Sequence, residues 1–413
     1  MRKVPELRFD GFDGEWEEKK LSKIAKFSKG KGYSKNDLSN GKYPIYLYGQ
    51  MYTNYKSQIN EIETYTDSIK VNSILSKGNE VLIPSSGETA EDLARASHMN
   101  ISNVLLGGDL NIIEPIDGVN SHFLALELSN GSVKRSLSKK AQGKSVVHLY
   151  NSDIKNQKIN YTKFEEQEKI GDLFKKIDDL IEIQETRIAK MEDFKKSMLQ
   201  KMFPKKGELV PEFRFYGFDG EWKNVYVKDI GSFLGGTSIE SYFNKKGDYK
   251  VISIGSYSNN SKYIDQGLRV DLNDKTKSKL LSRNDLAMVL NDKTTQGNII
   301  GRALLIDEDS KYIFNQRTQR ITPNFDKYNS LFLYYLFNSD IFRNKIKKIS
   351  QGNTQIYVNW PNVESILLKV PKKEEQAKIG QFFKNLDTQI ENEEKLLDSY
   401  KMMKKSLLQK MFV

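Results

Sequence analysis

Cysteine is absent from this 413-residue chain, and histidine occurs only three times. The absence of thiols excludes disulfides, thiolate nucleophiles and most structural zinc sites. The three histidines, His98, His122 and His148, have none of the spacings typical of metal ligands, such as HExxH. We therefore expect no intrinsic metal chemistry.

Long hydrophobic runs are also missing. No stretch of about 18 apolar residues could cross a bilayer, and the N-terminal sequence MRKVPELRFDGF lacks the apolar core of a signal peptide. We expect a cytoplasmic protein without membrane contact. The 38% of hydrophobic residues and 11% of aromatic residues suffice for packed cores, and the length allows two or three domains.

The most informative feature is a duplication. The sequence VPELRFDGFDGEW at residues 4–16 returns as VPEFRFYGFDGEW at residues 210–222, with 11 of 13 positions identical. Residues 165–203 and 374–412 are identical at 20 of 39 positions. The stretches between these segments share only scattered residues. The chain therefore contains two copies of one plan, with a common frame and different contents.

The last segment of each copy has the apolar spacing of a coiled-coil helix, with acids at its start and lysines at its end. Each helix would be on the order of 58 Å long, which is too long to bury its apolar stripe inside one small domain. We predict that the two helices pair antiparallel about a pseudo-twofold axis; two unrelated surface helices are the alternative. The predicted pairing residues are Ile170, Phe174, Ile177, Ile181, Ile188, Ile379, Phe383, Leu386, Ile390 and Leu397.

The stretches between the frame segments contain short apolar or alternating runs, such as KYPIYLYG and DLAMVL, separated by clusters of Gly, Asn, Ser and Asp. This pattern predicts a strand-rich α+β domain in each copy. We place the first domain at residues 1–160 and its helix at 161–205. The second domain follows at 206–370 and its helix at 371–413.

The positive charge is concentrated in these two domains. The chain carries a formal net charge of +11. Residues 19–150 contain 17 basic and 12 acidic residues, and residues 223–360 contain 21 and 13, whereas the helical segments are close to neutral. A surplus kept only for solubility would be spread evenly. The distribution therefore indicates two polyanion-binding domains on a near-neutral frame.

Two loops in matching places, KKAQGKS at residues 139–145 and KISQGNT at 348–354, combine lysine, glutamine, glycine and a hydroxyl. Glycine lets a backbone approach a phosphate closely, and lysine and hydroxyl groups supply donors, so a clamp on a nucleic-acid backbone is one interpretation. A turn before a strand is the other. The predicted clamp residues are Lys140, Gln142, Lys144, Ser145, Lys348, Gln351, Asn353 and Thr354.

Catalytic motifs are not found. Gly143, Lys144 and Ser145 resemble the end of a phosphate-binding loop, but Ser138 occupies the position of the required first glycine. There is no GxGxxG after a predicted strand, no NPPY-type segment and no Pro-Asp dipeptide. We predict that the chain is not an enzyme and that any catalysis belongs to a partner.

Two variable domains, each opening with GEW and followed by a helix that begins EEQxKIG and ends KKSxLQKMF, resemble the specificity subunit of type I restriction-modification systems. The resemblance covers nearly the whole chain. It implies that each target recognition domain binds one half of a split double-stranded DNA target and that the helices set the gap. It also implies that two modification (methyltransferase) subunits dock on the helical frame and that restriction (endonuclease/translocase) subunits join them. The chain itself would bind no cofactor, and S-adenosylmethionine, ATP and Mg would belong to those partners.

The resemblance further implies base contacts from loops of each recognition domain, whereas Trp16 and Trp222 are expected to be packing anchors. By position, the residues predicted to contact DNA are Gln50, Tyr52, Ser85, Ser86, Glu88 and Thr89 in the first copy and Tyr257, Asn259, Lys293, Thr294, Thr295 and Gln296 in the second. Two alternatives remain. One is a DNA methyltransferase or nuclease with an unfamiliar site, and the other is a non-catalytic coiled-coil scaffold with non-specific DNA binding.

Overall fold

The computed structural model describes residues 4–141, 143 and 146–413, and it divides into two compact units. Unit 1 consists of Met1–Glu185 together with Lys395–Val413, and unit 2 consists of Thr186–Glu394. The boundaries predicted from the sequence assign each long helix whole to one copy. The compact units instead divide both helices, so each unit holds one globular domain and a part of each helix.

Unit 1 contains thirteen strands and six helices among its described residues, the last helix continuing into unit 2. The strands are β1 (Glu17–Lys20), β2 (Ala25–Lys29), β3 (Tyr43–Tyr46), β4 (Gln58–Ile59), β5 (Tyr65–Thr66), β6 (Leu75–Lys77), β7 (Glu80–Pro84), β8 (Ser86–Gly87), β9 (Ser97–Met99), β10 (Ser102–Leu106), β11 (Leu110–Pro115), β12 (Val147–His148) and β13 (Lys158–Tyr161). The helices are α1 (Gln50–Thr53), α2 (Ala90–Leu93), α3 (Ser121–Ser129), α4 (Gly131–Lys140), α5 (Asn151–Lys155) and α6 (Phe164–Lys201).

Unit 2 repeats this order with fewer strands. Its strands are β14 (Lys223–Tyr226), β15 (Gly231–Gly235), β16 (Tyr249–Ile252), β17 (Arg269–Val270), β18 (Leu286–Val289), β19 (Asn291–Asp292), β20 (Ala303–Leu305), β21 (Tyr312–Phe314), β22 (Thr318–Pro323), β23 (Ile356–Tyr357) and β24 (Leu367–Val370). Its helices are α7 (Asp274–Lys277), α8 (Ser330–Asn338), α9 (Asp340–Ile349), α10 (Trp360–Glu364) and α11 (Lys373–Met411), the last of which ends in unit 1.

The sheets of the two units follow one topology. Unit 1 has a five-stranded sheet in the order β2-β11-β7-β9-β4 and a four-stranded sheet in the order β5-β3-β10-β6. Unit 2 has the corresponding orders β15-β22-β18-β20 and β17-β16-β21. In both units the pairing between the second sheet's main strands, β3 with β10 and β16 with β21, is parallel. The duplication visible at the ends of each copy therefore extends through the divergent middle.

Fully buried and largely apolar runs form the inner strands. Every residue of β7, with the sequence EVLIP, and of β18, with the sequence LAMV, is buried. An unbroken run of this kind is typical of a strand covered on both faces. On one face of each sheet lies an apolar helix, α3 or α8, each capped at its start by an asparagine side chain. The predicted class, a tandem repeat of strand-rich α+β domains with long helices, is confirmed.

The opening motif of each copy is a packing element. Trp16 is 2% exposed and meets Phe123 edge to face, with 5.7 Å between ring centroids. Trp222 is also 2% exposed and meets Phe332 in the same way at 5.9 Å. Both indoles are therefore core residues, as expected for packing anchors.

The second glutamate of each EEQ motif forms a buried ion pair with the arginine of the opening motif. The carboxylate of Glu166 accepts hydrogen bonds from Arg8 at 2.6 and 2.8 Å. In unit 2, Glu375 accepts from Arg214 at 2.8 and 2.7 Å. Both carboxylates are almost fully buried. This bidentate geometry fixes the start of each domain to the start of its helix.

The glutamine of each EEQ motif fixes the helix to the domain core. The Oε1 atom of Gln167 accepts from the backbone N–H of Asn120 at 2.9 Å, and Gln376 accepts from Asn329 at 2.9 Å. Asn120 and Asn329 are the residues that cap α3 and α8. The repeated motif is thus explained by contacts of the frame.

Within unit 1, the two long helices pack against each other. Ile170, Phe174 and Ile177 of α6 share one buried cluster with Met411 and Phe412. Asp178 forms an ion pair with Lys404, and Glu185 pairs with Lys401 at 2.7 Å. The position on α11 falls as the position on α6 rises, so the helices run antiparallel.

Within unit 2, the remaining parts of the same helices pair in the same way. Ile379 and Phe383 lie in one cluster with Met202 and Phe203. The ion pairs join Arg187 to Glu393 at 2.9 Å and Lys195 to Asp387 at 2.5 Å, which again is an antiparallel order. Among the other predicted pairing residues, Ile188, Leu386 and Ile390 are buried, and Ile181 and Leu397 are half-buried.

Candidate nucleic-acid interface

A two-stranded ribbon in unit 2 brings the two predicted contact segments together. Strands β19 and β23 pair antiparallel, with Asn291 opposite Tyr357 and Asp292 opposite Ile356. Residues 293–298, which we call the A loop, follow β19. Residues 351–355, which we call the B loop, precede β23. The B loop is closed by reciprocal backbone hydrogen bonds between Gln351 and Tyr357, each 2.9 Å long.

The carboxylate of Asp292 holds the A loop through hydrogen bonds. It accepts from the backbone N–H of Thr294 at 2.9 Å, from the Thr294 hydroxyl at 2.9 Å and from the N–H of Ile299 at 2.8 Å. Burial by itself raises the pKa of Asp292, but the hydrogen bonds from Ile299 and Thr294 outweigh burial and hold that pKa below its ordinary value. The loop is therefore built around an ionised carboxylate.

The far end of the A loop is held by two arginines. Arg343 of α9 donates through Nη2 to the carbonyl oxygens of Gly297 at 2.9 Å and Asn298 at 3.1 Å. Arg302 donates through Nε to the Asn298 carbonyl at 2.8 Å. Gly297 has φ +67°, a left-handed conformation that favours glycine. Both ends of the loop are thus tied to the domain.

The side chains that leave this ribbon are exposed, and most carry an amide, hydroxyl or ammonium group. They are Lys293, Thr294, Thr295 and Gln296 on the A loop and Gln351, Asn353 and Thr354 on the B loop. Lys348, at the end of α9, is also exposed. Amides suit adenine edges, hydroxyls suit several bases, and lysines suit phosphates or guanine. This is the chemistry that base reading in a groove requires.

Unit 1 has an equivalent two-stranded ribbon with different residues. Strands β8 and β12 pair antiparallel, with Ser86 opposite His148 and Gly87 opposite Val147. The pairing places the segment at residues 85–89 beside Val147 and His148. The register corresponds to that of unit 2, where Tyr357 takes the place of His148.

At the position where unit 2 carries the exposed Lys293, unit 1 carries an acidic residue, Glu88. Glu88 and Thr89 are exposed. Thr89 caps α2, because its Oγ1 accepts from the backbone N–H of Asp92 at 3.1 Å. The two domains therefore present chemically unlike surfaces on one scaffold.

Three of the predicted contact residues are corrected, because their side chains lie in the interior. Tyr257 is 4% exposed and its hydroxyl donates to the carbonyl of Ala287 at 3.2 Å. Ser85 is buried and donates to Asp109 at 3.2 Å, and Ser86 is buried in β8. Less than a tenth of each residue is exposed, which leaves little surface for a base contact.

Two other predicted residues in unit 1 are occupied by local hydrogen bonds. Tyr52 donates through its hydroxyl to the carbonyl of Ser86 at 2.7 Å, which supports β8 from one side. Gln50 accepts from the backbone N–H of Leu47 at 2.8 Å and stabilises the turn that starts α1. Both side chains are half-buried, so their predicted role as base contacts stays a prediction.

The structure does not place Asn259 on the A loop. It lies on the wall of a groove of about 820 Å³ that is also lined by Lys262, Tyr334 and, from α11, Glu391. In unit 1, Lys140 ends α4 and is half-buried. The predicted clamp residues Gln142, Lys144 and Ser145 lie outside the described residues.

Sequence reasoning missed Asp292, Arg302 and Arg343, which hold the A loop. One signal was available for Arg343. In α9, Arg343 follows Phe342 and precedes Ile346 by one turn, and these three residues form the face that the helix buries. A charged residue on an apolar helix face indicates a specific buried partner.

Within the described ranges, no helix has the length and apolarity needed to span a membrane. In the same part of the chain, no group of three or more His, Cys, Asp or Glu residues could hold a metal ion.

Comparison with known proteins adds family information to this geometry. The sequence model of the family described as Type I restriction modification DNA specificity domain matches residues 13–193 and again residues 219–400. A curated relative, the type I restriction enzyme MjaVIII specificity subunit of Methanocaldococcus jannaschii, is 26% identical over 301 residues, covering 69% of this chain and 67% of that protein.

Solved structures share the fold over nearly the whole chain. The type I restriction-modification S subunit from M. genitalium matches with a TM-score of 0.64 and 16% identity, covering 99% of both chains. A chain from a study of complex assembly and conformational transition of the type I R-M system matches with a TM-score of 0.56 and 13% identity, covering 96% of this chain and 97% of that one.

Proposed function

The chain belongs to the type I restriction-modification DNA specificity family, and from this premise we propose that it reads a split double-stranded DNA target, one half with each unit. It is the specificity subunit of a complex that acts in the cytoplasm. The chain itself performs no catalytic step and binds no cofactor. S-adenosylmethionine, ATP and Mg act on its partners.

One observation carries the proposal: the same ribbon recurs in both units with unlike exposed side chains. Lys293 and Gln296 stand on the A loop of unit 2, whereas Glu88 and Thr89 occupy the matching segment of unit 1. Side chains of different donor and acceptor pattern select different bases. The two half-sites therefore differ in sequence, and the complete target is asymmetric.

The paired helices provide the second part of the function. Antiparallel pairing occurs in both units through corresponding ion pairs, Asp178 with Lys404 and Asp387 with Lys195. A stiff pair of this kind sets a fixed gap between the half-sites. Its repeated surface offers two similar docking places, one for each of two modification subunits, and restriction subunits join the complex through them.

The experiment co-expresses the full chain with its modification subunit and maps methylated adenines across the host genome by single-molecule sequencing. We expect one split motif with two unlike halves and a constant gap. Cells with the modification subunit alone are the control and should lack the motif. Methylation that does not depend on this chain would contradict the proposal, and so would methyl transfer by the purified chain alone.

A further inference from the structure

Arg343 is an unusual buried cation. It is 5% exposed and lies on the inner face of α9, next to Phe342 and one turn before Ile346. No salt bridge joins Arg343 to a carboxylate among the described residues, although the charges of Asp340 and Asp292 act on it from nearby. A buried guanidinium without a salt bridge costs desolvation energy that an apolar side chain of similar size avoids. Burial accordingly lowers the pKa of Arg343 to about 10.

The hydrogen bonds of Arg343 go to the A loop. Nη2 donates to the carbonyls of Gly297 at 2.9 Å and Asn298 at 3.1 Å, while the buried Nη1 has no hydrogen-bond partner. The guanidinium thus gives its strongest contacts to the backbone just after Gln296. Arg302 shares the Asn298 carbonyl from another direction at 2.8 Å.

The packing around Arg343 leaves the A loop little freedom. A Cβ added at Gly297 would lie 3.0 Å from Cδ1 of Ile356 in β23 and 3.5 Å from Cε of Lys347 in α9. A Cβ at Gly301 would lie 2.7 Å from Cγ2 of Ile346. At Gly297 the loop backbone therefore lies directly against side chains of α9 and β23.

We propose that Arg343 is a positioning residue for base discrimination: together with Asp292 it clamps the A loop of unit 2 so that Thr294, Thr295 and Gln296 meet one half-site in a fixed register. This proposal rests on the proposed DNA-reading function. Arg343 itself does not touch DNA. Its effect is confined to the half-site that unit 2 reads.

The reason lies in the geometry of base reading. Hydrogen bonds weaken steeply when the angle or distance departs from its optimum, and a bidentate amide contact needs both atoms in place. A loop without its clamp still reaches the groove, but it adapts to wrong bases nearly as well as to the right one. Loss of the clamp therefore reduces discrimination more than it reduces affinity.

The test uses the full chain in complex with its modification subunit and the target found by methylation mapping. Methylation rates are compared on the intact duplex and on duplexes with one base changed in either half-site. For Arg343→Met we expect discrimination in the unit 2 half-site to fall about tenfold, which corresponds to about 1.4 kcal/mol. Discrimination in the unit 1 half-site should stay at its wild-type value and is the internal control.

Two further variants guard against a purely structural explanation. Lys345→Met removes another cation of the same helix, whose Nζ donates to the carbonyl of Leu367 at 2.6 Å, and should leave both discriminations unchanged. Asp292→Ala releases the loop from its other end and should reproduce the effect of Arg343→Met. If Arg343→Met does not fold, the proposal is tested with Asp292→Ala and Arg343→Lys. Arg343→Lys should lose part of the discrimination in the unit 2 half-site.

The proposal is overturned if the clamp variants lower the melting temperature while discrimination in the unit 2 half-site stays unchanged. Equal loss in both half-sites also overturns it, because Arg343 would then act on the whole complex. Failure of the proposed function looks different: the wild-type complex would give no split motif at all.

Discussion

Trp16 and Phe412 meet edge to face, with 6.3 Å between their ring centroids and planes inclined at 88°, although they stand near opposite ends of the sequence. In unit 2 the equivalent contact joins Trp222 to Phe203, at 6.2 Å and 86°. There the two residues are close in sequence. The end of α11 therefore gives unit 1 the contact that the end of α6 gives unit 2.

Phe412→Ala should strongly destabilise unit 1. The ring contacts Trp16, Phe123 and Phe174, and removal of a buried phenylalanine costs about 3–5 kcal/mol. Thermal unfolding measures the loss. Met402→Ala, at a 67% exposed position of the same helix, is the control and should change stability by less than about 0.5 kcal/mol. Equal melting temperatures for the two variants would show that the contact contributes nothing.

Glu166→Ala should cost about 3–5 kcal/mol, because it leaves Arg8 largely buried without its carboxylate. The double substitution of Arg8 and Glu166 by methionine should recover much of that loss, since it removes both charges. Chemical denaturation of the double variant and of the two matching single variants, Arg8→Met and Glu166→Met, gives the coupling energy between the two residues. A double variant that is as unstable as the sum of single changes would contradict the assignment.

Glu127 should make unit 1 sensitive to pH. Burial raises the pKa of this carboxyl from 4.5 to about 7, even though the backbone N–H and Nδ2 of Asn160 both donate to it at 3.0 Å. Because the folded pKa lies above the unfolded one, the stability of the protonated form is present below about pH 4.5 and is lost as the pH rises through 7.

Glu127→Gln should abolish this dependence, since its Oε1 can accept both hydrogen bonds without a charge. Relative to the wild type, the variant should be equal near pH 4.5 and more stable by roughly 3 kcal/mol near pH 8. Melting temperatures across that range measure the difference. Glu63→Gln, which removes an exposed carboxylate, should show no such trend. A constant offset at all pH values would refute the proposed titration.

Gln296→Ala and Lys348→Ala should separate base reading from phosphate binding. The first should relax specificity at one base of the unit 2 half-site by about 1–3 kcal/mol. The second should weaken binding to all duplexes and reduce the salt dependence by about one unit of slope. Binding assays over a range of salt concentrations distinguish them. Gln381→Ala on α11 is the control, and uniform weakening by Gln296→Ala would make that residue a phosphate contact.

The frame was predictable from the sequence because its signals are local. The apolar positions from Ile170 to Ile188 recur at helical spacing. Because the helix occurs twice, each copy was the simplest predicted partner of the other. The antiparallel order was predicted from the duplication of the helix. These features require no knowledge of distant contacts.

The contact surface was less predictable because it depends on pairing between remote segments. Nothing near Tyr257 indicates that its hydroxyl reaches Ala287, and the burial of Ser86 follows from pairing with His148. The proximity of the A and B loops follows from the pairing of β19 with β23, which the sequence does not indicate. The supports of the A loop lie on remote elements, Asp292 on β19 and Arg343 on α9, and the apolar helix face around Arg343 was the one local signal of a buried partner.

The division of the long helices has a consequence for synthesis on the ribosome. Unit 2 is a continuous segment, Thr186–Glu394, whereas unit 1 needs Lys395–Val413 to complete its core. Domains usually fold in the order in which they emerge. Here the part that is translated first is completed last, because Trp16 and Phe174 of the first domain lack their final covering until Phe412 has been synthesised.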